Sequence, residues 1–124
     1  MKERFYYCKE CDAILGMIHG SHLKEACGSH LFPLEPKTRE SGAEKHLPKA
    51  QLRGDRVVVE IGEISHPMEQ EHHIAWVYLR TDRGGQRKNL LPDHTPRVEF
   101  ALLEEQPQAV YAYCNQHGLW KSEL

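Results

Sequence analysis

Five residues that could bind a transition metal lie in three short segments of the chain. They are four histidines and one cysteine, namely His46, His66, His72, Cys114 and His117. Neutral imidazoles and a thiolate form a nitrogen-rich, partly soft ligand set, which suits iron, copper or zinc better than magnesium or calcium. Five ligands exceed the four of a closed structural zinc site. If all five meet, the metal has room for one further ligand, which would be a substrate.

Cys114 and His117 form a Cys-x-x-His segment where the last predicted strand ends. This spacing lets both side chains turn toward one point from a tight loop, and Gly118 can supply unusual backbone angles. The alternative is a buried cysteine followed by a surface histidine. Spacing alone does not decide between the two interpretations.

His66 and His72 lie six positions apart, just before a strand-like segment. At that spacing they cannot share a helical face, and Pro67 excludes a central strand. The pair therefore predicts a folded loop whose ends converge on one ion, although by itself a polar surface loop is the simpler interpretation. His72 has the same parity as Ile74 and Trp76, so we expect all three to point inward. The histidine that follows has the opposite parity and is a poor candidate.

The elements that must position these residues are predicted to be short strands. Alternation of apolar and polar residues, with almost no helical periodicity, indicates an antiparallel β-sandwich. A Gly84-Gly85 turn is expected to lead into a return strand through Leu90-Leu91. The other predicted strands cover residues 5–7, 14–18, 56–61, 74–79, 97–102 and, as the last one, 109–114.

The length of 124 residues suits one domain with a small appended module. Residues 1–36 are predicted to form the module and residues 37–124 the main domain, joined through a proline- and charge-rich linker at 33–42. A net charge of -2 gives no general attraction to nucleic acid. We expect no transmembrane segment and no secretory signal, and hence a cytoplasmic protein. In that reducing setting, four cysteines indicate metal binding or redox chemistry rather than disulfides.

Three motifs together resemble the superoxide reductases, the desulfoferrodoxin and neelaredoxin family. They are Glu44-Lys45-His46, His66-Pro67-Met68-Glu69 with His72 and Trp76, and Cys114-Asn115-Gln116-His117-Gly118-Leu119-Trp120-Lys121. The similarity runs in order and with matching spacing from Tyr7 to Lys121. It implies an all-β fold, with an immunoglobulin-like antiparallel β-sandwich and a small N-terminal desulforedoxin-like β module.

The same resemblance implies one mononuclear non-haem iron, with the four histidines as equatorial ligands and Cys114 as the axial thiolate. The implied reaction is one-electron reduction of superoxide to hydrogen peroxide. Lys45 would attract the anionic substrate and help to deliver a proton, and Glu44 would bind the ferric ion after turnover. Rubredoxin or a similar small protein is the implied electron donor, and a homodimer or homotetramer is the implied assembly.

The N-terminal segment departs from the family pattern. Two-iron members hold a rubredoxin-like iron with four cysteines, whereas this chain has Cys8, Cys11 and Cys27 and lacks the fourth. His30 could complete a second site, because Cys-x2-Cys-x15-Cys-x2-His has zinc-like spacing. The sequence therefore leaves two alternatives, a second metal (zinc or iron) or a packed module with reduced cysteines. The one-iron members of the family are the closer match.

Two other functions compete with the reductase interpretation. A non-catalytic metal protein, either an electron carrier or a zinc-stabilised interaction module, predicts a closed coordination shell. A hydrolase that uses metal-bound water is weaker, because a soft thiolate opposite the open position suits a simple Lewis-acid site poorly. The combination of motifs, rather than the fold, favours the reductase.

Overall fold

A computed structural model describes residues 5–20, 23, 30–39, 46–62 and 66–124 of the chain. Within these residues the structure contains ten β-strands and no helix. The prediction of an all-β, antiparallel fold is therefore confirmed. No helix in the described ranges is long and apolar enough to cross a membrane. The chain divides into two compact units, Met1–Glu35 and Pro36–Leu124.

The first unit contains a three-stranded antiparallel sheet. Its strands are β1 (Phe5–Cys8), β2 (Ala13–Gly16) and β3 (Leu31–Pro33), in the order β2-β1-β3. The first two strands match the predicted ones to within two residues at each end. The third was not predicted, because three residues ending in a proline carry almost no strand signal.

The second unit contains seven strands in two sheets. Along the chain they are β4 (Pro48–Arg53), β5 (Arg56–Ile61), β6 (Ile74–Thr81), β7 (Gly84–Asn89), β8 (Arg97–Ala101), β9 (Pro107–Cys114) and β10 (Gly118–Glu123). One sheet has the order β4-β5-β8 and the other the order β10-β9-β6-β7. Every strand pair within the two sheets is antiparallel.

The core lies between the inner faces of these two sheets. Val57, Val59 and Ile61 of β5 project into it, as their alternation predicts, and Phe100 of β8 is equally buried. From the other sheet come Val77 and Leu79 of β6, with Val110, Ala112 and Cys114 of β9. Each Å² of apolar surface that is buried in this core stabilises the fold by about 25 cal/mol. The packed core holds the strand ends, and therefore the loops, in fixed positions.

Strand β10 was not predicted from the sequence, in which the last expected strand ends at residue 114. Cys114 pairs with Gly118 across a tight hairpin, and Leu119, Trp120 and Lys121 continue along β9. Gly118 has a φ of +83°, a left-handed conformation that glycine adopts without strain. The segment from Cys114 to His117 is therefore a hairpin loop held by strands on both sides.

The parity prediction for β6 was wrong at Trp76. The register between β6 and β9 shifts between Ile74 and Trp76, as in a β-bulge. Such a shift moves the following side chains to the other face. Ile74 and then Val77 therefore enter the core, while Trp76 is half-buried and stacks on Tyr113, with ring centroids 5.4 Å apart.

The predicted Gly84-Gly85 turn lies two residues earlier than expected. Asp82 and Arg83 form the turn, and both glycines belong to β7. Gly85 is required there, since a Cβ at this position would overlap the phenol oxygen of Tyr78. Strand β7 ends at Asn89, before the predicted Leu90-Leu91 pair.

Candidate metal centre

The loop that carries His66 and His72 is closed on itself before β6 begins. The backbone N–H of Glu69 donates to the carbonyl of His72 at 2.9 Å, and the N–H of His72 donates to the carbonyl of Glu69 at 3.2 Å. This reciprocal pair folds the second half of the loop, from Glu69 to His72, into a tight turn. His73 Nδ1 donates to the Glu69 carbonyl at 3.0 Å, and His73 is not part of the ligand group.

The β9–β10 hairpin is tied to this loop through Asn115 and Gln116. Asn115 Nδ2 donates to the carbonyl of Glu71 at 3.1 Å, and Gln116 Nε2 donates to the same carbonyl. The side-chain oxygen of Asn115 accepts the backbone N–H of His73 at 2.9 Å. In the sequence, Asn115 and Gln116 are only the two residues between Cys114 and His117, and nothing there predicts that their side chains bind the other loop.

The five predicted ligands meet at one point. One donor atom from each of His46, His66, His72, Cys114 and His117 can be chosen so that all lie within 4.8 Å of one another. Two donors on opposite sides of one transition-metal ion lie about 4.2 to 4.4 Å apart, given metal–nitrogen and metal–sulfur bonds of about 2.1 and 2.3 Å. One ion therefore reaches all five donors with adjustments of a few tenths of an ångström.

The four imidazoles are arranged as the corners of a square. The ring centroids of neighbours are 4.7 Å apart for His46–His66, 4.8 Å for His66–His72, 5.0 Å for His72–His117 and 4.8 Å for His46–His117. The diagonal from His46 to His72 is 6.5 Å, close to that of a square with these sides. The longer diagonal is closer to four ligands arranged around a plane than to the tetrahedron of a structural zinc site, in which all separations would be equal.

Two of the ring nitrogens that face the centre are buried without a hydrogen bond. His66 Nδ1 donates to the Pro67 carbonyl at 2.7 Å, which leaves the lone pair on Nε2. Within the described part of the chain, Nε2 of His66 and Nε2 of His72 have no hydrogen-bond partner. An unpaired buried nitrogen costs about 1 to 3 kcal/mol, and a bound metal removes that cost. The donor set therefore fits a metal ion.

Cys114 and His117 lie at the inner and outer edges of the site. Cys114 is fully buried, whereas His117 is exposed. His117 Nδ1 lies 3.7 Å from Cys114 Sγ and 3.1 Å from His46 Nε2. His117 thus presents Nδ1 to the centre, and the site opens to solvent on its side.

Burial prepares His66 to be a neutral ligand. The side chain is 2 % exposed, and desolvation lowers the pKa of His66 from 6.5 to about 4. Charges on His46, His72 and His117 act in the same direction, and the hydrogen bond to the Pro67 carbonyl opposes them. Because a metal binds only the neutral imidazole, protons do not compete for this nitrogen at neutral pH.

Trp120 of β10 supports His46. The indole and imidazole rings are stacked, with centroids 4.7 Å apart and 14° between the planes. His46 lies two residues before the start of β4, and Trp120 fixes the orientation of its ring from the opposite sheet. The motif that contains Trp120 indicated the family but gave no sign of this contact.

Glu44 and Lys45 lie outside the described residues, as does Cys27. Of the other second-site residues, Cys8 is buried and Cys11 exposed, and both are free thiols. A hydrogen bond with Cys8 and the charge of Cys8 raise the pKa of Cys11. His30 Nδ1 lies 3.2 Å from a carboxylate oxygen of Glu10. The second metal site therefore stays a prediction.

Comparisons with known proteins find relatives that match most of the chain. Residues 38–123 match the family model described as desulfoferrodoxin. A desulfoferrodoxin homolog of Archaeoglobus fulgidus is 38% identical over 118 residues, covering 94% of both chains. A protein of Pyrococcus horikoshii named superoxide reductase is 38% identical over 99 residues, covering 65% of this chain and 86% of that one.

A solved structure is also similar over almost the whole chain. The crystal structure of the superoxide reductase from Treponema pallidum has a TM-score of 0.78 and 36% sequence identity, and 98% of each chain is covered. The family match spans the second unit, which holds all five ligand residues. The chain belongs to the desulfoferrodoxin family.

Proposed function

We propose that this protein is a superoxide reductase, which reduces superoxide to hydrogen peroxide at a single non-haem iron. The observation that carries the proposal is the square of four imidazoles with a buried thiolate beside it. Five donors of these types exceed what a structural zinc site uses. Relatives named superoxide reductase support the same reaction.

His46, His66, His72, His117 and Cys114 would hold the iron, which would supply the one electron that, with two protons, converts superoxide to hydrogen peroxide. The imidazoles bind as neutral groups, since burial keeps the pKa of His66 far below neutral pH. Cys114 binds as the thiolate and brings the one negative charge of the ligand set. Its complete burial keeps water and oxidants away from the sulfur.

The rigidity of the site comes from the chain around it. The bonds of Asn115 and Gln116 lock the hairpin to the His66–His72 loop, and Trp120 holds His46. A site fixed before the metal binds needs little rearrangement when the metal changes oxidation state, and this favours electron transfer. The exposed side of His117 is the route by which a small anion reaches the centre.

Lys45 and Glu44 complete the proposal as the catalytic residues outside the metal ligands. Both immediately precede His46 in the sequence, so chain connectivity alone keeps them near the centre. We assign to Lys45 the attraction of superoxide and the delivery of a proton, directly or through water. We assign to Glu44 the binding of the oxidised metal after turnover.

The electron donor and the assembly follow the family. We propose rubredoxin or a comparable small redox protein as donor, a homodimer or homotetramer as the assembly, and the cytoplasm as the location. A second metal, zinc or iron, at Cys8, Cys11, Cys27 and His30 is also proposed. Counting iron and zinc per chain in the native protein tests it, because the packed-module alternative predicts one iron per chain and no second metal ion.

The function is tested on purified protein loaded with iron. Oxidised protein is expected to show a visible band from charge transfer between the Cys114 thiolate and ferric iron. The reduced protein is expected to consume superoxide, with one hydrogen peroxide formed per superoxide and the visible band returning as the iron is oxidised. Cys114→Ser should abolish the band. A colourless protein with stoichiometric zinc and no reaction with superoxide would establish the interaction module instead.

A further inference from the structure

Lys37 lies against the strand that supports the metal centre, although it is not one of the ligands. Its backbone N–H donates to the carbonyl of Leu119, and its carbonyl accepts the N–H of Lys121, both at 2.9 Å. These bonds form an isolated parallel bridge between Lys37 and Trp120. Position 37 is thus fixed by the main chain, whatever side chain it carries.

The side chain of Lys37 then contacts groups that hold two different ligands. Nζ donates to the backbone carbonyl of His117 at 3.0 Å. The same Nζ lies 5.0 Å from the centroid of the Trp120 ring, in a cation–π contact. Trp120 in turn stacks on His46. One cation therefore acts on His117 through its main chain and on His46 through the indole.

We propose that Lys37 is a positioning residue that orients His46 and His117 and whose charge raises the reduction potential of the iron. This inference rests on the proposed function. The hydrogen bond fixes the main chain of His117, the one ligand whose side chain is exposed and therefore least restrained by packing. A fixed main chain at this point reduces the freedom that metal binding would otherwise have to remove.

The direction of the electrostatic effect follows from the sign of the charge. A nearby cation disfavours the ferric state, which carries one more positive charge than the ferrous state. Lys37 is exposed, so solvent and salt screen its field, and the shift is largest at low ionic strength. Removing the charge lowers the potential, and replacing it with another cation restores it.

Three variants test the inference. Lys37→Met removes the charge while keeping the side-chain length and the main-chain bridge, and Lys37→Arg keeps the charge. Lys49→Met removes another exposed cation, on β4, for which the described residues show no hydrogen bond or ion pair with a ligand. Two quantities are measured for each full-length variant, namely the midpoint potential of the iron-loaded protein and the dissociation constant of cobalt(II), read from its visible spectrum.

Lys37→Met is expected to have a lower midpoint potential and a cobalt(II) dissociation constant raised about three- to tenfold. This loss of affinity is smaller than the loss of about 10- to 100-fold that is typical when a direct hydrogen-bond partner of a ligand is removed. Lys37→Arg and Lys49→Met are expected to match the parent protein. Unchanged values in Lys37→Met overturn the inference, as do equal changes in Lys37→Arg or Lys49→Met. Failure of the parent protein to reduce superoxide would instead overturn the proposed function, and the cobalt(II) comparison still reports on Lys37.

Discussion

Asn115 and His73 exchange two hydrogen bonds, which join the hairpin of one ligand pair to the loop of the other. The backbone N–H of Asn115 donates to the carbonyl of His73 at 3.2 Å, and the backbone N–H of His73 donates to Asn115 Oδ1 at 2.9 Å. Asn115 directly follows Cys114, and His73 directly follows His72. The two hydrogen bonds therefore fix the distance between Cys114 and His72, because each bonded residue is the neighbour of one of these ligands.

Asn115→Ala is expected to loosen this junction. It removes the side-chain acceptor for His73 and the donor to the Glu71 carbonyl, which lowers the free energy of unfolding by about 1 to 2 kcal/mol. Cobalt(II) affinity should fall about tenfold, as for other groups that orient metal ligands. Urea unfolding of the metal-free protein and a metal titration measure the two effects. Gln51→Ala, which removes an exposed amide bonded only to Arg53 in the described residues, should change neither.

Replacing Trp120 separates the support of His46 from ordinary packing. Trp120→Leu removes the ring that stacks on the imidazole, and we expect about 2 to 3 kcal/mol lower stability and about tenfold weaker cobalt(II) binding. The matched control is Trp76→Leu, because Trp76 stacks on Tyr113 rather than on a ligand ring. It should lower stability and leave metal affinity nearly unchanged. Equal losses of affinity in both variants would contradict the role of Trp120.

The metal-free protein should become less stable as the pH falls below about 6.5. His66 stays neutral in the folded state down to its lowered pKa of about 4, whereas in the unfolded chain it takes up a proton near 6.5. The unfolded state therefore binds more protons between these values. His66 alone contributes a loss of up to about 1.4 kcal/mol per pH unit, and its contribution is constant below pH 4.

Urea unfolding of the metal-free protein from pH 4 to 7 measures this dependence. His66→Gln removes the titrating group, so its stability should fall less steeply over the same range. If the parent protein and His66→Gln gave parallel curves, His66 would not be the group responsible. The comparison needs metal-free protein, because a bound metal holds the imidazole neutral.

The sequence was sufficient for the ligands but not for the groups that orient them. Spacing alone left each cluster open, and the combination of three motifs that resembles the family allowed His66, His72 and the Cys-x-x-His pair to be predicted as ligands. Asn115 and Lys37 bind main-chain carbonyl and N–H groups. Every residue other than proline has both groups, so the sequence does not show which of them will be the partner. Their roles depend on strand pairing, which no local pattern encodes.

The errors in the fold prediction have a similar cause. Alternation predicted the inward face of β5 correctly, because the strand is regular. It failed at Trp76, where a register shift changes which face each side chain occupies. It also missed β10, because one glycine with positive φ reverses the chain within the Cys-x-x-His hairpin. The positions of bulges and tight turns depend on tertiary contacts, so the alternation of apolar and polar residues in the sequence does not reveal them.

X-ray absorption at the iron edge of the loaded protein measures the ligand set most directly. The five donors predict one sulfur at about 2.3 Å and four imidazole nitrogens at about 2.1 Å, with the sulfur lost in Cys114→Ser. A spectrum without sulfur in the parent protein, or with fewer than four imidazoles, would contradict the centre that the rest of the account depends on.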